Sequence, residues 1–344
     1  MNAIDRAYEF RLATTSDVDE IMSFIGREWK PDHILAIDRE FFCYQHQVDD
    51  KINFLVAVNR ETGSIDGLEG FIQYSEELLD ISAVMWSVGK HVRIPYLGVR
   101  VVNELKSQTG CRVYCGVGVN PKTAIPLHEK IMKHHVGKME HYYRLSNAVS
   151  SFKIADIKER TTLPVRTSSA FMLQKLDNFK DAAARFDFGK YSWRRPFKDG
   201  WYVKKRYFEH PIYRYQIWGV VDTYGNTVGL LVGREIEQYS AKVLRIIDYI
   251  GDVAPLGGIG FSIERLIDDG AYEYADLYCC GLNRELLERA GFVYRGPDDE
   301  NIIPNYFEPY VLKNIDIHYA TTHEDSVLFK GDADQDRPNR REVR

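Results

Sequence analysis

An α/β protein of two tandem, related domains is what this sequence predicts, each domain a mixed central sheet with helices on both faces. Three observations lead there. Apolar stretches of strand length alternate with segments whose apolar residues recur at helical spacing, and a hairpin signal opens each set. The second half repeats the first: Gly225, Gly229 and Gly260 stand 162 residues after Gly63, Gly67 and Gly98, each in the same local setting. A chain of 344 residues also exceeds the usual size of one core.

Residues 8–26 read as a short strand, a polar turn and an amphipathic helix with Ser16 or Asp17 as its cap. The aromatic-rich segment 27–47, with Trp29, His33, Phe41 and Phe42, fits a helix packing its apolar face on the sheet. INFLVAVNRETGSIDGLEGFIQ gives two strands joined by a turn at Thr62-Gly63. The strand ISAVMWSV then runs through a polar loop into a helix that carries Leu97, Val101, Val102 and Leu105 on one face. RVYCGVGV is a strand ending at Asn120, AIPLHEKIMKHH a helix, and HYYRLS a strand that closes the first domain.

Periodicity fades over 149–168, which contains Pro164, so the expected division is a first domain 1–148, a connector 149–168 and a second domain 169–344. In the second half WGVVDTYGNTVGLLVG repeats the hairpin. VLRIIDYIG, PLGGIG and FSIERLIDD repeat strand, loop and helix; ADLYCC and NRELLERAGF follow. The last stretch, FKGDADQDRPNRREVR, is polar and charged, and its final residues are expected to be mobile.

Composition narrows the function. Lys and Arg number 45 against 50 Asp and Glu, a formal net charge of −5, which argues against nonspecific nucleic-acid binding. No apolar run approaches a membrane span and MNAIDRAYEF has no signal-peptide core, so a soluble cytoplasmic protein is expected. Five cysteines lack a paired metal spacing and read as reduced and buried; no metal is expected. Gly258-Ile-Gly260 fails the dinucleotide fingerprint because Ile263 stands where its last small residue belongs. Asp332, Asp334 and Asp336 fail as a calcium loop, since Arg337 occupies the turn-glycine position and Val343 that of the terminal glutamate.

The most informative stretch is WSVGKHVRIPYLGVRVVNELK. It opens a helix near Gly98, where unpaired N–H groups and the helix dipole suit a pyrophosphate, and Arg93 stands five residues earlier. Arg93-x-x-Tyr96-x-Gly98 resembles the acyl-CoA loop of the GNAT acyltransferases. It departs at Tyr96, where that family has glycine and a side chain would crowd the phosphates. Leu-His-Glu-Lys-Ile at 127–131 is similar to the family's following helix, and Leu-Leu-Glu-Arg-Ala-Gly-Phe at 286–292 repeats it. The resemblance implies tandem GNAT-like domains and acyl-CoA as co-substrate, held in the first half by Val88, Arg93, Tyr96, Leu97, Gly98 and Asn120. The second half places Pro255 where Arg or Gln belongs.

The same resemblance implies that His128 stands where the family has a proton donor for the leaving thiolate, that the backbone N–H of Val88 polarises the thioester carbonyl, and that the segment with His33 covers the acceptor end. His33, Asp80 and Glu69 remain open as general base. Trp86 plus 162 gives Asp248; Asp248 and Asp252 are expected to hold an amine or to bridge to Arg245 or Arg206. Arg206, His210, Tyr213 and Arg214 on an alternating segment suit a nucleotide. The turn with Asp332, Asp334 and Asp336 is expected either to be solvated or to receive an ammonium group.

Taken with WKPDHILAIDREFF, YFEHPIYRYQIW and LFKGDADQDRPN, nearly the whole chain resembles bacterial two-domain N-acyltransferases of surface-polysaccharide biosynthesis. The acceptor this implies is the amine of a nucleotide-linked amino-deoxy sugar. Two alternatives stay open: a Fem-like aminoacyl transferase, for which no basic groove or coiled-coil arm is visible, and a degenerate binding or scaffold protein, suggested by Tyr96 and Pro255.

Overall fold

In the computed structural model, residues 3–77, 79–164 and 170–339 are described. Residues 165–169 of the connector and the end of the charged tail, 340–344, lie outside them. Backbone contacts divide the chain into two compact units, one of Met1–Val136, Tyr319–His323 and Ala333–Arg344, the other of Gly137–His318 and Glu324–Asp332. Two eight-stranded mixed sheets carry the fold.

The first unit contains β1 (Tyr8–Thr14), α1 (Val18–Phe24), α2 (Ile34–Ile37), α3 (Arg39–His46), β2 (Lys51–Asn59), β3 (Ile65–Gln73), β4 (Asp80–Val88), α4 (Leu97–Thr109), β5 (Val113–Val117) and α5 (Ile125–Lys130). Its strands lie in the order β1-β2-β3-β4-β5, antiparallel except for the parallel pair β4 and β5. The helical period read from the sequence is what builds the core: Leu97, Val101, Val102 and Leu105 bury against Leu55, Ala57 and Phe71. Each such side chain contributes about 1.5–3 kcal/mol on leaving water. Asp17 stands at the N-cap position of α1 without a side-chain cap bond; Thr14 caps the 3₁₀ turn before it, and Asp17 closes that capping box while paired with Arg11 at 2.7 Å.

The second unit contains β6 (Glu140–Leu145), β7 (Phe171–Leu176), β8 (Tyr215–Asp222), β9 (Thr227–Gln238), β10 (Ala241–Gly251), α6 (Gly260–Asp269), β11 (Tyr272–Cys280), α7 (Arg284–Arg289) and β12 (Val293–Tyr294). The sheet order is β12-β6-β11-β10-β9-β8-β7, with β10 and β11 parallel. Ile259, Ile263 and Ile267 pack on Leu231, Leu244 and Ile246, as their counterparts do in the first unit.

The strand HYYRLS does not close the first sheet. As β6 it pairs antiparallel with β11, because Tyr142, Tyr143 and Leu145 bury in the apolar clusters of the second unit. The edge of β5 is instead covered by β13 (His318–Thr321) from near the end of the chain, with Tyr319 opposite Val117. No spacing rule at sequence level foresees that exchange.

The glycine repeat is a repeat of backbone geometry. Gly63 and Gly225 turn the two hairpins at φ +74° and +86°. Beyond each turn a register shift precedes the glycine: Gly67 faces Ala57 after a shift at Ala57/Val58, and Gly229 faces Val220 after a shift at Val220/Val221. The offset breaks on the next strand, where counterparts on both sides of its shared register shift stand 163 residues apart. Glu69 faces Trp86 while Leu231 faces Tyr249, so the counterpart of Trp86 is Tyr249 and not Asp248, and that of Glu69 is Leu231.

Candidate active site

In the first unit β4 and β5 pair from Asp80–Val113 to Ala83–Gly116 and then part. The bulge of β4, where Gly70 faces Met85 and Phe71 faces Ala83, starts the divergence, and Gly118 at φ +84° turns the other strand away. A cavity of about 660 Å³ opens between them, lined among others by Trp86, Val88, Leu97, Asn120, Leu127 and His128. The N–H of Gly89 donates to the carbonyl of Asp66 at 2.8 Å, so Gly67 and Val88 form a non-hydrogen-bonded pair. The N–H of Val88 is therefore directed away from β3, toward the side where the strands have parted.

At the start of α4 no side chain caps the helix. Its first-turn N–H groups, which include Leu97 and Gly98 at the cavity wall, have no partner within the helix. Tyr96 precedes them at φ +63°, ψ 14°, a left-handed conformation that costs a residue with a Cβ about 1–2 kcal/mol. The backbone therefore keeps the shape a glycine would allow, and the Tyr96 side chain is 63% exposed instead of filling the loop. Gly98 serves packing: a Cβ there would stand 3.2 Å from the indole of Trp86, whose Nε1 donates to the Gly98 carbonyl at 3.0 Å. Arg93 is exposed, does not line the cavity, and donates to the carbonyls of Lys90 and Val92 in its own loop.

Among the titratable side chains at the cavity, Glu69, His33 and His128 are almost wholly buried, as are Tyr114 and Asp334. Burial pushes the Glu69 carboxyl up to about 8, against the bond it accepts from Tyr114 Oη at 2.5 Å and the pull of Lys106. Its Oε2 is buried without a hydrogen-bond partner. His33 caps α2 by accepting the Leu35 N–H on Nδ1 at 3.2 Å, which leaves a partnerless buried Nε2; burial, and next Arg337, lower it to about 4. Burial and Lys106 likewise lower His128 to about 4, so it rests as a neutral imidazole. His128 Nδ1 is 3.0 Å from Nδ1 of His134. Asp80, the remaining candidate base, is bound by Arg112 at 2.6 Å away from the cavity.

The end of the chain completes the wall. Asp334, Gln335 and Arg337 line the cavity together with Trp29 and His33, and Asp334 pairs with Arg337 at 2.7 Å. Gln335 sits so close to Gly118 that any Cβ there would overlap its amide. The acidic turn is not solvated: Asp332, Asp334 and Asp336 are all buried. Asn120 accepts the N–H groups of Lys122 and Thr123, closing the turn at the cavity rim.

In the second unit the corresponding gap is filled. β10 and β11 pair as far as Ile246–Leu277, and β14 (Leu328–Phe329) then runs antiparallel to Cys279 and Cys280. The Lys330 N–H donates to Tyr278 O at 3.1 Å and the Gly331 N–H to Ile247 O at 2.8 Å, so the segment spans the parted strands. A Cβ on Gly331 would lie 2.5 Å from Ile247 Cγ2 and 2.9 Å from its carbonyl oxygen. Lys198 is enclosed by Asp248 at 2.7 Å and Asp332 at 2.8 Å, and Tyr207 donates to Asp248 at 2.6 Å.

None of the second-unit residues expected to bind substrate lines the cavity. Asp248 is engaged by Lys198 and not by Arg245 or Arg206; Arg245 pairs with Asp276. Asp252 accepts the Ala254 N–H, His210 accepts those of Ile212 and Tyr213, and Tyr213 donates to Glu308 at 2.9 Å. Arg206 is buried. Of the acceptor set only Asp334 borders the cavity. Tyr114, His134, Gln335 and Arg337 escaped the sequence reading; the visible hint of the site was Glu69, a carboxylate in an apolar strand, which demands a compensating partner or a raised pKa.

Among the described residues no group of His, Cys, Asp and Glu could hold a metal, and no helix is long and apolar enough to cross a membrane. No protein-family model and no curated protein matches the sequence. Solved structures do match. A GCN5-related N-acetyltransferase from Anabaena variabilis superimposes with a TM-score of 0.51 at 9% identity, over 91% of this chain and 72% of that one. A protein of unknown function from Enterococcus faecalis, described as a probable N-acyltransferase, gives 0.51 at 6% identity over the same shares. The likeness is one of fold: two tandem GNAT-like domains.

Proposed function

We propose that this chain is an N-acyltransferase that moves an acyl group from acyl-CoA to an amine in the cavity of the first unit. The observation that carries this reading is the open gap between β4 and β5, with an uncapped helix N-terminus at one end and a partnerless buried carboxyl at the other. The N–H groups at Leu97 and Gly98 would receive the pyrophosphate, with Arg93, Tyr96 and Asn120 around it. The pantetheine arm would run along the free edge of β4, and the Val88 N–H would polarise the thioester carbonyl.

Glu69, whose pKa of about 8 lies near working pH, takes a proton from the acceptor ammonium. The free amine attacks the thioester carbon, the tetrahedral adduct gives the second proton of its nitrogen to water as it collapses, and the thiolate leaves with a proton from Nε2 of His128. His33 and Asp334 border the acceptor end. The acceptor class we favour, the amine of a nucleotide-linked amino-deoxy sugar made in the cytoplasm, is supported by the sequence resemblance. Asp248, Asp252, Asp332, Arg206, His210 and Tyr213, engaged inside the second unit, we read as holding that unit together.

Titration calorimetry with acetyl-CoA tests the site. Val119→Trp, which fills the cavity wall beside Gly116, should weaken binding on the order of 100-fold, about 2.7 kcal/mol, with the far-ultraviolet spectrum kept. A folded Val119→Trp protein that binds acetyl-CoA like wild type would remove the assignment.

A further inference from the structure

The mechanism leaves Lys106 and His134 unused, yet they form a hydrogen-bonded line that ends at His128. Lys106 Nζ lies 3.1 Å from His134 Nε2, and His134 Nδ1 lies 3.0 Å from His128 Nδ1. The chemistry of the groups assigns the protons. An ammonium donates and cannot accept, so His134 Nε2 is the acceptor and the single proton of this neutral ring sits on Nδ1. That N–H donates to His128 Nδ1, which leaves the proton of His128 on Nε2. Ring packing holds the line: Trp86 meets His128 at 5.4 Å between centroids, and Tyr114 meets His134 at 5.3 Å. One end is at the cavity, which His128 lines; the other, Lys106 on α4, is only partly buried.

Resting on the acyl-transfer reading, we propose that Lys106, His134 and His128 form a proton wire from the protein surface to the thiolate that leaves in the cavity. A lone neutral imidazole is a poor acid, because giving up its N–H leaves an anion. The wire avoids that anion. The thiolate takes the Nε2 proton of His128, His128 Nδ1 takes the Nδ1 proton of His134, and His134 Nε2 takes one from the Lys106 ammonium. The products are a thiol, two neutral imidazoles in the opposite tautomers and a neutral lysine amine, which water reprotonates. Charge balances, since one cation and one anion become neutral. The other titratable groups that face the line among the described residues are His135 beside His134, Glu69 on β3, Tyr114 on β5 and Cys111 after α4.

Imidazole nitrogen shifts of the ¹⁵N-histidine-labelled full chain test the line without reference to turnover. Wild type should show His134 protonated on Nδ1 and His128 on Nε2, and Lys106→Met should scramble both. The second arm is thiol release from acetyl-CoA with hydroxylamine as acceptor. Lys106→Arg keeps a cationic donor but has no proton to give, so it should hold both tautomers and still release thiol slower, on the order of 10²-fold, at unchanged acetyl-CoA affinity. His128 protonated on Nδ1 in wild type would overturn the line. Wild-type thiol release by Lys106→Arg would reduce Lys106 to a positioning residue. A wild type that binds acetyl-CoA with the expected tautomers yet releases no thiol would instead fell the acyl-transfer reading, and the wire's role with it.

Discussion

Past Gly116 the first unit leaves its parted strands facing a cavity, whereas past Leu277 the second unit lays Leu328–Gly331 into the same gap and bonds it to both sides. The two sheets share turn glycines, a first bulge and a helix start, so the backbone device is common to both. What differs is the lining. Glu69 at the open gap corresponds to Leu231 in the closed one, and Trp86 to Tyr249. A splayed parallel pair is thus only an opportunity for a ligand. The open copy keeps buried polar atoms without partners at the cavity, on Glu69 and His33, whereas the closed copy fills its gap with its own chain and encloses Lys198 between Asp248 and Asp332.

The largest effect that would break this contrast is at Glu69. Glu69→Gln should lower kcat on the order of 10²- to 10³-fold and remove the limb of kcat/KM that rises with pH toward about 8 in wild type. The same carboxyl sets a stability slope. Its folded pKa lies above the unfolded value, so its stabilisation is complete below about 4.5 and is lost as pH rises toward about 8. Denaturant titrations should show Glu69→Gln gaining on wild type across that window; parallel curves would mean the carboxyl is not held protonated.

A smaller effect tests the closed gap. Gly331→Ala forces a methyl onto Ile247 and should cost about 1–3 kcal/mol of stability, read as an earlier urea midpoint. Acetyl-CoA affinity should stay within twofold or so, since Gly331 does not line the cavity. A matching loss of affinity would show that the two gaps are not separate. The smallest concerns the loop before α4. Tyr96→Gly relieves a left-handed residue and should raise stability by about 0.5–1 kcal/mol, less whatever the tyrosine contributes to the cavity wall. Destabilisation would mean that its ring, and not its backbone, matters.

Much was legible in the sequence because it depends on local chemistry. The 3.6-residue spacing of Leu97, Val101 and Leu105 dictates a buried helix face, the glycines at Gly63 and Gly225 dictate turns with positive φ, and their common offset reveals two related domains. The start of α4, and with it the expectation of an anion site, follows from the same rules. Tertiary structure alone decided where Tyr142 and Tyr319 pair, since a strand with one apolar face is content in either sheet until the rest of the core selects its partner. It also decided that Asp248 is an ion-pair member and Glu69 an unsatisfied acid: both are carboxylates in apolar strands, and burial with or without a cation at hydrogen-bond distance is set by chain segments far away in sequence.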